Sequence, residues 1–228
     1  MKDSEVRKKT VLFLSAVHSE TKWIEENLSE KVVTLFENEE FCFEALAVGI
    51  GNTASSINFQ KHFYSRENEN KGISEAIFVG AAGVYRSNDY LRTLENNVPG
   101  FSHEFVNVEI SVLEGKAVLP DAMIWRCETS PGVVGRYLRE KLDTLLGITN
   151  SPDSITLTQL DKDTLQKHRI SFENMEVFGL ASAAISCGIP FCSFFAVTNE
   201  VCESGSRQWA AQHVVITEHL QNKIISAF

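Results

Sequence analysis

The chain lacks the cysteine spacing of a stapled or zinc-bound fold. Cys42, Cys127, Cys187, Cys192 and Cys202 are an odd number, and none stands in a Cys-x-x-Cys pair or beside paired histidines. Reduced thiols in a cytoplasmic compartment are the expectation. Positive charge is also scarce: 21 Lys and Arg against 30 Asp and Glu leave a net charge of −9. Such a balance repels polyanions, which argues against nucleic acid as a partner. No apolar stretch is long enough to cross a bilayer, so no membrane association is expected. Arg7, Lys8 and Lys9 precede an apolar run over residues 11–17, as in a signal peptide. The run is short for that role, and the polar His18, Ser19 and Glu20 follow it at once, so it reads as a first buried strand. Internal repeats and low-complexity tracts are missing too.

What is present suits one core. With 228 residues, 43% of them hydrophobic and 22% charged, the chain has apolar area enough for a single large domain over residues 1–228, with residues 1–9 flexible. A helix over residues 20–28 would follow the first strand, with Trp23, Ile24 and Leu28 on one face. Strands over 32–36 and 41–48 form a pair, after which Gly49-Ile50-Gly51-Asn52 opens a helical segment toward His62. Residues 65–71 read as a surface loop. A buried strand over 76–79 runs into a second small-residue turn, Gly80-Ala81-Ala82-Gly83. Further along, 105–113 reads as a strand, 133–145 as a helix, 154–157 as a short strand, 177–186 as an alanine-rich helix, 189–198 as a strand and 207–227 as a closing helix. This alternation predicts an α/β sandwich whose mixed, mostly parallel central sheet is flanked by helices, with any site beyond the carboxyl ends of the strands.

Four of those strand ends carry a pattern: Ser15-Ala16-Val17-His18-Ser19-Glu20, Val48-Gly49-Ile50-Gly51, Val79-Gly80-Ala81-Ala82-Gly83 and Asn174-Met175-Glu176. Ile189-Pro190-Phe191 and Ala196-Val197-Thr198-Asn199-Glu200-Val201 follow. In this order and spacing they resemble the nucleoside phosphorylase and nucleosidase superfamily nearly end to end, and the stretch 199–209 is most similar to futalosine hydrolase. The resemblance implies a phosphorylase/hydrolase-like fold, a homodimer or larger assembly, and cleavage of a purine nucleoside at its N-glycosidic bond without metal or organic cofactor.

The implied roles are specific. Glu20 would hold and activate water, although a glutamate in a first helical turn also complements the helix dipole. Glu176 would accept hydrogen bonds from ribose hydroxyls, with Met175 packed on the sugar; cap and core roles are their plain alternatives. Asn199 stands where adenosine-specific members have an aspartate. Its amide offers two donors, which suits N7 together with a 6-oxo group, so the resemblance favours a 6-oxopurine such as the base of futalosine. Its alternative is a turn residue after a strand. Gly80 and Ala81 would bring backbone close to the ligand. Arg207 would meet an anionic substituent, or else is an ordinary surface arginine. His18 is given no role.

Some features depart from the family. Val177 stands where Met-Glu-Gly is usual, Asn174 replaces a common glutamate, and residues 154–159 offer no aromatic to stack on the base. The first loop has no Gly-Asp-Pro sequence or basic phosphate ligand, which favours water over phosphate as the nucleophile. Methylthioadenosine/S-adenosylhomocysteine nucleosidase and purine nucleoside phosphorylase are the competing activities. A nucleoside-binding protein with little catalysis is the alternative of another class.

Overall fold

The computed structural model describes residues 8–36, 39–69, 71–86, 93–108, 124–156 and 168–228. The expected flexibility of residues 1–7 lies outside these, whereas Lys8 and Lys9 already belong to the first strand. In chain order the strands are β1 (Lys8–Ser15), β2 (Val32–Phe36), β3 (Glu39–Ala47), β4 (Ile73–Val84), β5 (Gly100–Ser102), β6 (Glu104–Asn107), β7 (Trp125–Glu128), β8 (Leu145–Leu146), β9 (Ile148–Asn150), β10 (Ile170–Glu173) and β11 (Phe191–Glu200). The helices are α1 (Lys22–Leu28), α2 (Asn52–Asn68), α3 (Val133–Lys141), α4 (Val177–Cys187) and α5 (Gly205–Ser226).

Among the described residues, one mixed sheet holds eleven strands, ordered β2-β3-β1-β4-β10-β9-β6-β7, with β11, β5 and β8 branching from β4. Strand β1 lies parallel to β3 and β4, and β4 parallel to β11. These central strands are covered on both faces, which is why they read as continuous apolar runs. Leu12, Leu14, Phe78 and Phe195 pack with Phe59, Leu180 and Ala184 of α2 and α4. Val11, Phe13, Ile77 and Phe194 pack oppositely with Ile24, Val134, Leu138, Leu220 and Ile224 of α1, α3 and α5. Phenylalanine fills much of both layers. Burying each large ring fully contributes roughly 1.5–3 kcal/mol.

Several expectations needed correction. Residues 18–20 form a 3-10 turn rather than the start of α1, and Trp23 is 38% exposed while Ile24 and Leu28 are buried. Helix α2 continues through Asn68, taking in most of the expected loop at 65–71. The four residues Gly80 to Gly83 are strand, not turn: β11 pairs with them along one edge, and β10 meets Gly83 and Val84 on the other. Their smallness serves packing, since a Cβ on Gly80 would lie 2.7 Å from the Phe78 ring. Helix α3 ends at Lys141, before the short β8. Residues 154–156 are not strand, and 157 lies outside the described residues, as do 109–113 of the expected strand over 105–113. Among the described residues, no helix is long and apolar enough to cross a membrane. All five cysteines are free.

Candidate active site

The site assembles around one residue of β4. The Ala81 N–H donates to Glu20 Oε1 at 2.9 Å, and the Ala81 carbonyl accepts from Asn174 Nδ2 at 3.0 Å. A single peptide neighbourhood thus joins the first loop to the Asn174-Met175-Glu176 segment, which begins 93 residues beyond Ala81. The other oxygen of Glu20 accepts from the N–H groups of Ala16 and Val17 at 3.2 and 3.4 Å. Those donors exist because the chain turns sharply where β1 ends. The Ser15 hydroxyl, 2.9 Å from that of Thr21, pins the turn from behind.

Glu176 arrives from the other side. Asn174 Oδ1 accepts from the N–H groups of Glu176 and Val177, capping the start of α4. The Glu176 carboxylate then accepts from Gly51 N–H at 3.0 Å. Gly49 and Gly51 have φ of 90° and 88°, a backbone that L side chains rarely adopt, so the glycine turn between β3 and α2 is required at both positions. Asn52 locks the junction: its Oδ1 accepts from the Ser151 hydroxyl and from Gly179 N–H, each at 2.9 Å.

Burial sets the electrostatics. Glu20 and Glu176 are each 4% exposed. Burial raises the Glu20 carboxyl from the ordinary 4.5 to about 7, opposed chiefly by the Ala81 N–H and reinforced by the nearby Glu176 charge. Glu176 is raised as well, again by burial, with Gly51 N–H and the Asn174 amide acting in the opposite direction. A carboxyl poised near neutrality can accept a proton from water, while its hydrogen-bonded neighbour can bind hydroxyl groups.

The remaining expected residues divide. Gly80 adjoins Glu20: a Cβ there would lie 3.3 Å from its Oε2. Met175 is half-buried. Asn199 is the penultimate residue of β11, beside Gly83, its Oδ1 accepting from the Thr198 hydroxyl at 2.9 Å and its Nδ2 donating to the Glu200 carbonyl at 3.1 Å. One of the two amide N–H groups expected for the base is therefore already engaged. Arg207 is exposed in the first turn of α5, and no hydrogen bond or ion pair brings it to either carboxylate among the described residues. The exposed His18 ring faces Glu25 at 3.5 Å.

Sequence reasoning missed Asn52, the capping role of Asn174, and Glu173. The buried Glu173 carboxylate accepts from Thr156 N–H at 3.0 Å and from the hydroxyls of Thr156 and Tyr85. It thereby ties the segment after β9 to β10, close to where a stacking aromatic was sought. Only its position beside Asn174-Met175-Glu176 hinted at this. An open groove of about 490 Å³ shares Asn52 and Gly179 with this region, and Trp125, Phe178, Ser182 and Asp153 also line it. It contains neither Glu20 nor Glu176. As for metals, His103, Glu104 and Glu128 bring ligand atoms within 4.8 Å of one another. They belong to the β6–β7 end of the sheet, away from Ala81 and β1 in strand order.

No family model matches the chain, and no curated protein matches it. Solved structures do. The 5'-methylthioadenosine/S-adenosylhomocysteine nucleosidase of Helicobacter pylori, solved with butyl-thio-DADMe-Immucillin-A, is similar at a TM-score of 0.68 and 16% identity, over 96% of this chain and 97% of that one. A mutant futalosine hydrolase of Helicobacter pylori is similar at 0.67 and 16%, over 96% and 100%. The Streptococcus pneumoniae MTA/SAH nucleosidase in complex with 8-aminoadenine gives 0.68 and 13%, over 96% and 98%. At these identities the likeness is one of fold, and it spans nearly the whole of each chain.

Proposed function

We propose that this chain hydrolyses the N-glycosidic bond of a purine nucleoside, with 6-oxopurine nucleosides of the futalosine type preferred. The observation that carries this reading is the buried Glu20 carboxyl, raised to about 7 and fixed by the Ala81 N–H opposite the second buried carboxylate, Glu176. Glycosidic cleavage calls for these two functions in one place.

In this mechanism a water molecule donates its proton to Glu20 as its oxygen bonds to C1′ of the ribose. The C1′–N9 bond breaks, and its electron pair goes to the purine. Glu176 accepts hydrogen bonds from ribose hydroxyls that strengthen as positive charge develops on the sugar. The free N–H of Asn199 donates to the purine as it gains negative charge, and solvent supplies the proton that completes the free base. Gly80 and Ala81 keep backbone close to the ligand, and Met175 packs against the sugar. Arg207, exposed on α5, would meet an anionic 5′ substituent reaching past the rim.

Support for a nucleoside ligand comes from the fold neighbours, which include nucleosidases solved with nucleoside analogues or a purine. The preference for a 6-oxo base rests on asparagine at position 199, which cannot act as a carboxylic acid toward N7. Self-association belongs to the same reading: Ile57 and Tyr64 on α2, Ile185 on α4 and Trp125 on β7 are exposed apolar side chains, and light scattering of the purified chain should give a dimer or larger. Release of hypoxanthine from futalosine or inosine tests the activity. Adenine as the preferred product would overturn the argument from Asn199, and tight binding without turnover would favour a nucleoside-binding protein.

A further inference from the structure

Glu20 and Asn199 come from opposite ends of the chain, and β11 reaches Asn199 through an irregularity. Val197 pairs with Ala82 and Asn199 with Gly83, so Thr198 is an extra residue in the ladder. Such a bulge re-aims the side chain that follows it and disrupts the local pairing. Helix α5 answers this need. Gln212 Nε2 donates to the Thr198 carbonyl, and Gln208 Oε1 accepts from Glu200 N–H at 2.9 Å. The residues before and after Asn199 are both held by glutamines one helical turn apart.

The same helix holds the other group. Thr21 precedes α1 without making a side-chain cap, because its hydroxyl faces Ser15. The Trp23 N–H is consequently an orphan donor of the first turn. Gln221 Oε1 accepts from it at 2.9 Å, while Gln221 Nε2 donates to the Ser19 carbonyl at 3.1 Å. Gln221 is fully buried, and its two partners flank Glu20. These three residues are the only glutamines of α5, and all three bind backbone beside Glu20 or Asn199.

We propose that α5 is a positioning element whose Gln221 sets the Glu20 turn while Gln208 and Gln212 set the Asn199 bulge, so that one rigid helix fixes the separation of the two groups. The inference rests on the hydrolytic reading above for its kinetic consequences. Its structural content does not. Gln212 and Gln221 lie nine positions apart, about 13.5 Å along a helix axis, a distance that neither loop could hold alone. The three amides act through the backbone of their neighbours.

The test uses the full chain with Gln221→Met and Gln212→Met, each keeping an unbranched side chain without the amide. Displacing a reacting group by about 1 Å can cost on the order of 100-fold in rate. Gln221→Met should therefore lower kcat by about 10–100-fold, leave KM within about threefold and keep the inosine-to-adenosine preference. Gln212→Met should instead change that preference. Gln221→Glu, which keeps the acceptor for Trp23 but loses the donor to Ser19, should fall between wild type and Gln221→Met.

A readout without turnover separates this inference from the proposed reaction. In protein labelled with ¹³C at glutamate carboxyls, the Glu20 signal is identified by its loss in Glu20→Gln. The charge acting on Glu20 among the described residues is that of Glu176, while His18 and Glu25 face each other on the exposed side of the turn. Gln221→Met should move the Glu20 midpoint downward as the loosened turn admits water, and Gln212→Met should leave it in place. Wild-type titration in folded Gln221→Met and Gln221→Glu would overturn the proposal. Failure of the wild-type protein to cleave any nucleoside would overturn the reaction alone, with the titration still deciding the role of α5.

Discussion

Replacing Glu20 by Gln should abolish turnover and at the same time make the protein more stable at alkaline pH than wild type. The folded carboxyl titrates at about 7 and the ordinary value is 4.5, so its contribution to stability is fully present below about 4.5 and is lost as pH rises through about 7. At the alkaline limit the loss is about 3 kcal/mol. Glutamine carries no such term. It does place an amide NH₂ against the N–H groups of Ala16 and Val17, which now meet the second carboxylate oxygen, and that mismatch costs roughly 1–2 kcal/mol at every pH. The variant should thus be the less stable protein at about pH 5 and the more stable one at about pH 8.5, with a swing of roughly 2.5 kcal/mol between them. For a chain of this size the swing corresponds to about 5–10 °C in the relative Tm. Thermal melts of both proteins across this pH range measure it directly, and the comparison cancels titrations of groups that do not interact with Glu20. A difference in Tm that does not change with pH would refute the assignment of a neutral-range carboxyl to Glu20.

Other consequences are simpler to read. The pH profile of kcat/KM should rise through about 7, because Glu20 must be ionised to accept the proton of water; a profile flat from about pH 5 to 8 would exclude it as the base. Glu176→Gln should lower kcat by about 100–1000-fold, since the carboxylate is needed most as the sugar gains charge, and steady-state kinetics with inosine checks this. In Asn199→Asp the new oxygen would face the Glu200 carbonyl now bonded to Nδ2, which favours the protonated acid; competition between inosine and adenosine should then shift by about tenfold or more toward adenosine. Gly179→Ala would put a Cβ 2.3 Å from the Asn52 carbonyl oxygen, forcing α2 from α4 at a cost of about 1–3 kcal/mol, to be seen in denaturant melts.

The sequence made the central strands and the site turns legible for a local reason. Residues 11–15 and 191–198 are buried on both faces of the sheet, so their apolar runs carry the signal, and the positive φ at Gly49 and Gly51 is a demand that glycine answers visibly. Gly80 to Gly83 misled because small residues serve close packing as readily as turns. What distinguishes the two is the pairing of β11 with β4, a contact between segments over 100 residues apart. Strand β10 and the role of Glu173 were hidden for the same reason, since their partners lie on β4, β9 and the segment holding Thr156. Asn174 was noted as a departure from the family, yet its function as a cap depends on the backbone of Glu176 and Val177 and on Ala81 across the site. Gln208, Gln212 and Gln221 look in sequence like polar residues on a surface helix, and only the packed fold turns their amides onto the two segments that matter.

The most direct test of the hydrolytic reading is incubation of the purified chain in phosphate-free buffer with futalosine, inosine, methylthioadenosine and S-adenosylhomocysteine, following the free base by chromatography, with Glu176→Gln as the control. The account predicts hypoxanthine from futalosine or inosine, lost in the control. Absence of free base from every substrate, or release only when phosphate is added, would contradict it.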